Sequence, residues 1–294
     1  NKLIEYANLN FCKVILINYY SPFRRISILI IYSIKRVLKS CSNIYYANDE
    51  CGPRLSKSIL KNSTNNTLFK NFGIKPNNYV CIFARDSKFL KSVDQNRNWD
   101  YMNYRDSNID NLKMLSEYIT KTFGWDVIRI GSDPLKKINW ERGGESKIID
   151  YSFSGFRNDK NDIDLLANCK LFIGNGGLAS IPICSRREMI RINQVPIGID
   201  AGYNHGIWIP KLHYLNKTKK YLSLTEIFEK RLSLACKSEY YQKSDIILKE
   251  NSPEDILNVF KDYIKFKKNS FSKSEKLIIK KYNKIKRKLY SEYI

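Results

Sequence analysis

Between residues 78 and 193 the chain repeats one unit: a short apolar run, a polar turn, an amphipathic stretch, and then the next apolar run. The runs are Asn78–Ala84, Asp126–Gly131, Lys147–Asp150, Lys170–Ile173 and Met189–Asn193. Most lack the polar–apolar alternation of a half-exposed strand, so they read as strands covered on both faces. Between the first two, Ile109, Leu112, Leu115 and Ile119 recur at helical spacing and Gly124 closes the helix. A second, shorter helix is expected over Ile163–Cys169, and a third opens over Leu178–Ser185. Strands alternating with helices predict an α/β fold with a mostly parallel sheet, because parallel neighbours need a crossover that a helix supplies.

Outside this core the signals change. Residues 11–38 are the most apolar stretch, but Pro22, Arg24, Arg25 and Lys35 interrupt it. Neither half reaches the roughly 20 residues a bilayer span needs. A Rossmann-like strand–helix pair is expected there, with interfacial membrane attachment as the alternative. Residues 43–78, rich in Asn, Ser and Lys, read as a loop or domain junction, and 88–106 as a polar loop. The division that follows is an incomplete N-terminal Rossmann-like domain over 1–75, the main α/β domain over 76–264, and a basic helical tail over 265–294. Ser252-Pro253-Glu254-Asp255 is a helix start: Ser caps it, Pro fits the first turn, and two acids meet the positive dipole end. From 261 onward twelve Lys/Arg face three acids, and Leu277, Ile278, Tyr282 and Ile285 fall on one helical stripe. The first residue is Asn, and the expectation is a chain that starts inside a longer protein.

With 51 Lys+Arg against 29 Asp+Glu, a net of +22, the chain favours anionic partners: nucleic acid, an anionic membrane surface or phosphorylated small molecules. Its abundance of Lys, Asn, Ile and Tyr is also what AT-rich coding sequence produces, so part of that charge carries no function. The seven cysteines are scattered singly with no CxxC pair, as reduced thiols of a cytoplasmic protein are. Only His205 and His213 are available to complement them, so no metal site is expected.

Three groups of residues carry chemistry. In LFIGNGGLASIP (171–182) a strand runs into Gly174, Asn175, Gly176 and Gly177, then into small residues from Leu178. Amides of such a loop, backed by a helix N-terminus, suit a diphosphate at the carboxyl edge of a parallel sheet; the alternative is a tight turn that merely needs glycine. It matches neither GxGxxG nor the P-loop. Arg85-Asp86-Ser87 and Tyr104-Arg105-Asp106-Ser107 form a matched pair near the same edge. Arginines there bind phosphate oxygens, and Asp86 or Asp106 orients them or acts as a base, unless both are plain surface ion pairs. Arg157 opens RNDKND, where Asn161 or Asp162 is expected to cap the next helix. His205 and His213 are expected as solvent-facing loop residues rather than catalytic bases.

The ordered set FARDS (83–87), YRDSNID (104–110), GWDVIRIGS (124–132), IIDYS (148–152), RNDKNDIDLLANCKLFIGNGGLASIP (157–182) and LSLTEIF (222–228) resembles a family of bacterial surface-carbohydrate glycosyltransferases, found with O-antigen and capsule biosynthesis. The resemblance runs from about Tyr79 to about Tyr263. It implies a GT-B-like architecture of two Rossmann-like domains, the N-terminal one acceptor-side and incomplete, the C-terminal one holding a nucleotide-sugar donor. It implies no metal and no cofactor beyond that donor, and no DxD signature is read here. The expected assignment is Arg85, Asp86 and Asp106 as catalytic residues. Tyr104, Arg105, Arg157, Gly174, Asn175, Gly176, Gly177 and Leu178 are expected to bind the donor. Relatives commonly carry His-Asp where this chain has Met102 and Asn103, so the family's base is in question here. The expected partners are the donor, a glycan or lipid-linked acceptor, and an anionic membrane surface, for a cytoplasmic enzyme peripheral to the inner leaflet. The alternative is a basic nucleic-acid-binding protein without catalytic activity, although no RRM, KH, helix-turn-helix or zinc signature is present.

Overall fold

A computed structural model describes residues 66–140, 145–198 and 206–293. The 11–38 stretch, nearly all of the expected N-terminal domain and His205 lie outside the described residues.

Six strands form one parallel sheet: β1 (Tyr79–Phe83), β2 (Asp126–Arg129), β3 (Ile148–Asp150), β4 (Leu171–Gly174), β5 (Glu188–Gln194) and β6 (Gly206–Pro210), in the order β3-β2-β1-β4-β5-β6. Val80 stands opposite Val127 on one side and Leu171 on the other, and Phe83 opposite Gly174. This is the strand order of doubly wound, Rossmann-like sheets. The chain winds outward from β1 to β3 and then returns to the far side of β1 as β4. The carboxyl ends of β1 and β4 therefore flank the point where the winding reverses, which is where such sheets bind ligands.

Alternate side chains of β1 enter different layers. Tyr79 and Cys81 face α1 (Asn66–Phe72), α4 (Asp159–Asn168) and α5 (Ser180–Cys184), in a core with Phe69, Leu165, Phe172 and Ile181. Val80 and Ile82 face α3 (Lys113–Phe123) and α8 (Pro253–Lys267) through Leu115, Ile119, Ile256 and Phe260. Leu115 and Ile119 of α3, and Leu112 in the turn just before it, are fully buried, and each such side chain contributes about 2 kcal/mol toward fixing this segment on the sheet. Leu68, Phe69 and Ile74 also enter the first core, so the sheet domain takes in α1, ahead of the expected boundary at 76.

Three local expectations change. The stretch 88–106 is not simply a loop: it holds α2 (Lys88–Val93) and a 3-10 turn over Asp100–Arg105. The Ile109 helix opens as a 3-10 turn before α3. The cap of α4 is Asn158, whose side chain accepts the Asn161 N–H, so Asn161 and Asp162 belong to the first turn. The Ser252 start holds, with a capping box to Asp255 and Pro253 at the first position. Cys81, Cys169 and Cys236 are free thiols, in keeping with the expectation at those three positions.

A second, smaller layer follows the main sheet. Strands β7 (Leu212–Leu215), β8 (Lys220–Tyr221) and β9 (Ile246–Lys249) pair antiparallel in the order β8-β7-β9. With α6 (Leu224–Glu229) and α7 (Ser238–Lys243) they enclose a third core containing Tyr104, Ile197, Phe228 and Tyr241. The basic tail is helical as expected, forming α9 (Lys273–Tyr293) after α8. Among the described residues no helix is long and apolar enough to cross a membrane.

Candidate functional site

At the reversal point β1 ends in Phe83 and hands on Ala84, Arg85 and Asp86, while β4 ends in the Gly174–Leu178 turn. Between them lies a pocket of about 290 Å³, lined by residues that include Ala84, Arg85, Met102, Arg105, Arg129, Gly177 and Leu178. Phe89 and Leu90 of α2 and Ile130 and Pro134 beyond β2 complete a mostly apolar wall.

Arg85 is the key cation. It is 8% exposed and its Nη1 is ion-paired to Asp106. Its Nη2 is buried and has no hydrogen-bond partner. Burial pushes the guanidinium pKa down, while Asp106 pushes it back up. Leaving a buried charged donor unpaired is costly, so the arrangement favours an anion or another acceptor arriving from the pocket. Burial raises the Asp106 carboxyl to about 6, with Arg85 and Lys211 opposing the rise. Lys211, itself buried, donates from Nζ to the Asp106 carbonyl.

Asn175 explains how the two arginine–aspartate segments come together. Its Oδ1 accepts the Arg85 N–H at 2.9 Å, and its Nδ2 donates to Arg105 O at 2.9 Å and to Ser107 Oγ at 2.7 Å. The Ser107 N–H donates to Arg85 O at 2.8 Å. One side chain thus fastens the β4 turn to both segments, and its role is to hold the loops.

The three glycines have separate reasons. A Cβ on Gly174 would lie 2.3 Å from Phe83 O, so glycine lets β1 and β4 approach each other. Gly176 has φ +82, a left-handed conformation that glycine adopts freely. Gly177 faces open space. The Gly176–Leu178 amides precede the first bond of the following 3-10 turn, Ala179 N–H to Gly176 O, and so belong to the unpaired start of a helical segment.

The other expected residues divide. Arg105 lines the pocket. Tyr104 does not: its ring packs 5.6 Å from Tyr241 in the third core, where burial pushes its phenol up to about 12. Asp86 lines the rim but braces loops, accepting the Lys88 N–H on one carboxylate oxygen and the Leu135 N–H on the other, each at 3.0 Å. Arg157 donates to Ser132 Oγ, a pocket-wall residue, and to Asp162 at 3.1 Å, which sets it behind the wall. His213 is not a loop residue: it lies on β7, 1% exposed, its Nδ1 3.0 Å from Lys211 O, and burial lowers its pKa to about 4.

Sequence reasoning missed Arg129 and Lys211. Arg129 ends β2, lines the pocket and is 2% exposed, with Nη1 2.9 Å from Asp150 and Nη2 3.3 Å from Lys136 O. The signal was a lone arginine inside the apolar run Asp126–Gly131. Lys211 carried no comparable mark. Among the described residues no group of three or more His, Cys, Asp or Glu is placed to hold a metal ion. In comparison with known proteins, the chain matches no family model and no curated protein.

Proposed function

We propose that the protein is a metal-independent glycosyltransferase of GT-B-like architecture that moves a sugar from a nucleotide-sugar to a surface-glycan acceptor such as O-antigen or capsule. The observation that carries this reading is the buried Arg85, with one nitrogen held by Asp106 and the other unpartnered, on the wall of a pocket at the sheet's reversal point. The motif resemblance supplies the reaction class. In this reading Arg85 and Arg105 hold the donor diphosphate with the Gly176–Leu178 amides, and the apolar wall takes the rest of the nucleotide. The acceptor hydroxyl attacks the anomeric carbon, a new C–O bond forms as the bond to the diphosphate breaks, and the hydroxyl proton passes to Asp106. Asp106, which is not itself a pocket-lining residue, is preferred to Asp86 because Arg85 takes only one of its carboxylate oxygens, whereas both Asp86 oxygens accept backbone amides, and Met102 has no proton-accepting group. Charge stabilisation of the leaving diphosphate by Arg85 is the larger contribution.

A thermal-shift panel of UDP, GDP and their sugar conjugates, set against a generic single-stranded RNA, tests the reading. Stabilisation by one nucleotide family, growing with concentration as linkage requires, is the expected result. Salt-sensitive binding of RNA with no response to any nucleotide would replace it with the nucleic-acid reading.

A further inference from the structure

Lys211 stands where the two sheets meet: it is the single residue between Pro210, which ends β6, and Leu212, which opens β7 at the centre of the small sheet. It is 4% exposed, and its Nζ donates to the main-chain carbonyl of Asp106. Glu250, in the connection from β9 to α8, holds the next part of the same segment. Its Oε2 accepts the Asn108 N–H at 2.8 Å and a bond from Asn111 Nδ2 at 3.0 Å. Ahead of Asp106, Ser238 of α7 donates from Oγ to Asp100 O at 2.9 Å and accepts the Tyr104 N–H at 3.2 Å. The stretch 100–111 is therefore held from two sides: by Asn175 and Arg85 of the main sheet, and by Ser238, Lys211 and Glu250 of the small layer. Met102 and Arg105 reach the pocket from this stretch.

Fastening alone does not call for a lysine. A buried ammonium costs more free energy than a neutral side chain, and a carbonyl compensates it less well than a carboxylate does. The charge therefore points to a use. The charged groups around Asp106 are Arg85, Lys211, Asp86 and Glu250, and those around Lys211 are Glu250, Asp106 and Arg85. Asp106 is thus flanked by two buried cations, Arg85 on its carboxylate and Lys211 on its carbonyl. Lys211 opposes the rise that burial imposes on the Asp106 carboxyl, so the carboxylate stays ionised at neutral pH and keeps Nη1 of Arg85. That leaves Nη2 as the donor without a partner.

We infer that Lys211 is a positioning residue for the pocket: from the junction of the two sheets it holds the Asp106 segment and, through the Asp106 carboxylate, the Arg85 guanidinium. The inference rests on the anion-binding reading of Arg85 only in the second arm of its test. The first arm needs no ligand. In the full chain the carboxyl carbon resonance of Asp106, identified by its absence from Asp106→Asn, is followed by NMR across the acid range. Its midpoint lies at about 6 in wild type and rises by about half a pH unit or more in Lys211→Met and in Lys211→Gln. Lys217→Gln, at an exposed position of the same layer, leaves it in place. A midpoint unmoved in both Lys211 variants, or an equal rise in Lys217→Gln, would overturn the inference. Loss of the fold in both Lys211 variants would overturn it too, because the residue would then be structural. The second arm titrates UDP and GDP. Affinity rises on acidification in wild type, the rise sets in at correspondingly higher pH in Lys211→Met, and it disappears in Lys211→Met/Asp106→Asn. The same affinity profile in wild type and Lys211→Met, beside a moved carboxyl midpoint, would break the link from Asp106 to Arg85 and overturn the inference. If neither nucleotide binds wild type, the proposed function fails and the carboxyl titration alone decides the role of Lys211.

Discussion

Arg85–Asp106 and Arg129–Asp150 are the same pair written twice. Each arginine sits at the carboxyl end of a central strand, each is nearly buried, and each meets an aspartate 21 residues later. Their surroundings differ. Arg129 also reaches the Lys136 carbonyl, and the second oxygen of Asp150 accepts the Ile138 N–H at 2.8 Å. Both halves of that pair are occupied by the protein itself. Arg85 keeps a buried nitrogen without a partner, and its Asp106 is pushed up to about 6. One pair is saturated by the protein itself, and the other leaves a buried donor without a partner beside the pocket. A buried ion pair by itself therefore says little about function; what its remaining hydrogen-bonding groups do says more.

The largest expected effect separates the pairs by stability. Arg129→Met leaves Asp150 buried without its cation and should cost about 3–5 kcal/mol, whereas Arg85→Met, whose partner is less buried and can protonate, should cost no more than about 1–2 kcal/mol. Urea unfolding measures both, and the reverse order would break the distinction. Next come the glycines that shape the ligand side. Gly174→Ala forces a Cβ against Phe83 O and should cost about 1–3 kcal/mol or more, while Gly177→Ala should stay within about 0.5 kcal/mol. Equal costs would show that the turn is shaped by something other than the β1–β4 approach.

Two smaller effects are read against pH. Asparagine at 106 mimics the protonated carboxyl and leaves Arg85's charge unshared. Asp106→Asn should therefore bind a nucleoside diphosphate about fivefold more tightly than wild type at pH 7.5, with the two converging near pH 5. A constant ratio across that range would mean that Asp106 does not set Arg85's free charge. For stability, the Asp106 carboxyl lies above its unfolded value of 3.8, so the folded state gains protons first and is favoured as pH falls from about 6 toward 4. His213 lies below its unfolded 6.5, at about 4, so it costs stability over the same descent. His213→Gln should flatten the acid side of the stability profile and Asp106→Asn should steepen it. Unfolding midpoints measured from pH 7 to pH 4 check both signs.

The main sheet was legible because its strands are continuous apolar runs, and the glycine turn stood out because three glycines fall in four positions. The strand order was not, since any apolar run can neighbour any other; only the packing of Tyr79 and Cys81 to one side and Val80 and Ile82 to the other shows which layers they join. The small sheet escaped reading because its strands are two to four residues long and mix buried with exposed positions. Within the site, Arg85 and Arg129 looked alike in sequence, and the groups that saturate Arg129 come from the connection after β2, whose path no local pattern announces. Asn175 was noticed for its place between glycines, but its side chain serves partners 90 and 70 residues away.

The central claim is that Arg85, rather than Arg129, is the anion-binding member of the two pairs. Calorimetric titration of the nucleoside diphosphate selected by the thermal-shift panel, into wild type and Arg85→Met at pH 7, tests it directly. The account predicts measurable binding to wild type and a loss of about tenfold or more in Arg85→Met, with the variant's fold intact. Unchanged affinity in Arg85→Met would contradict it.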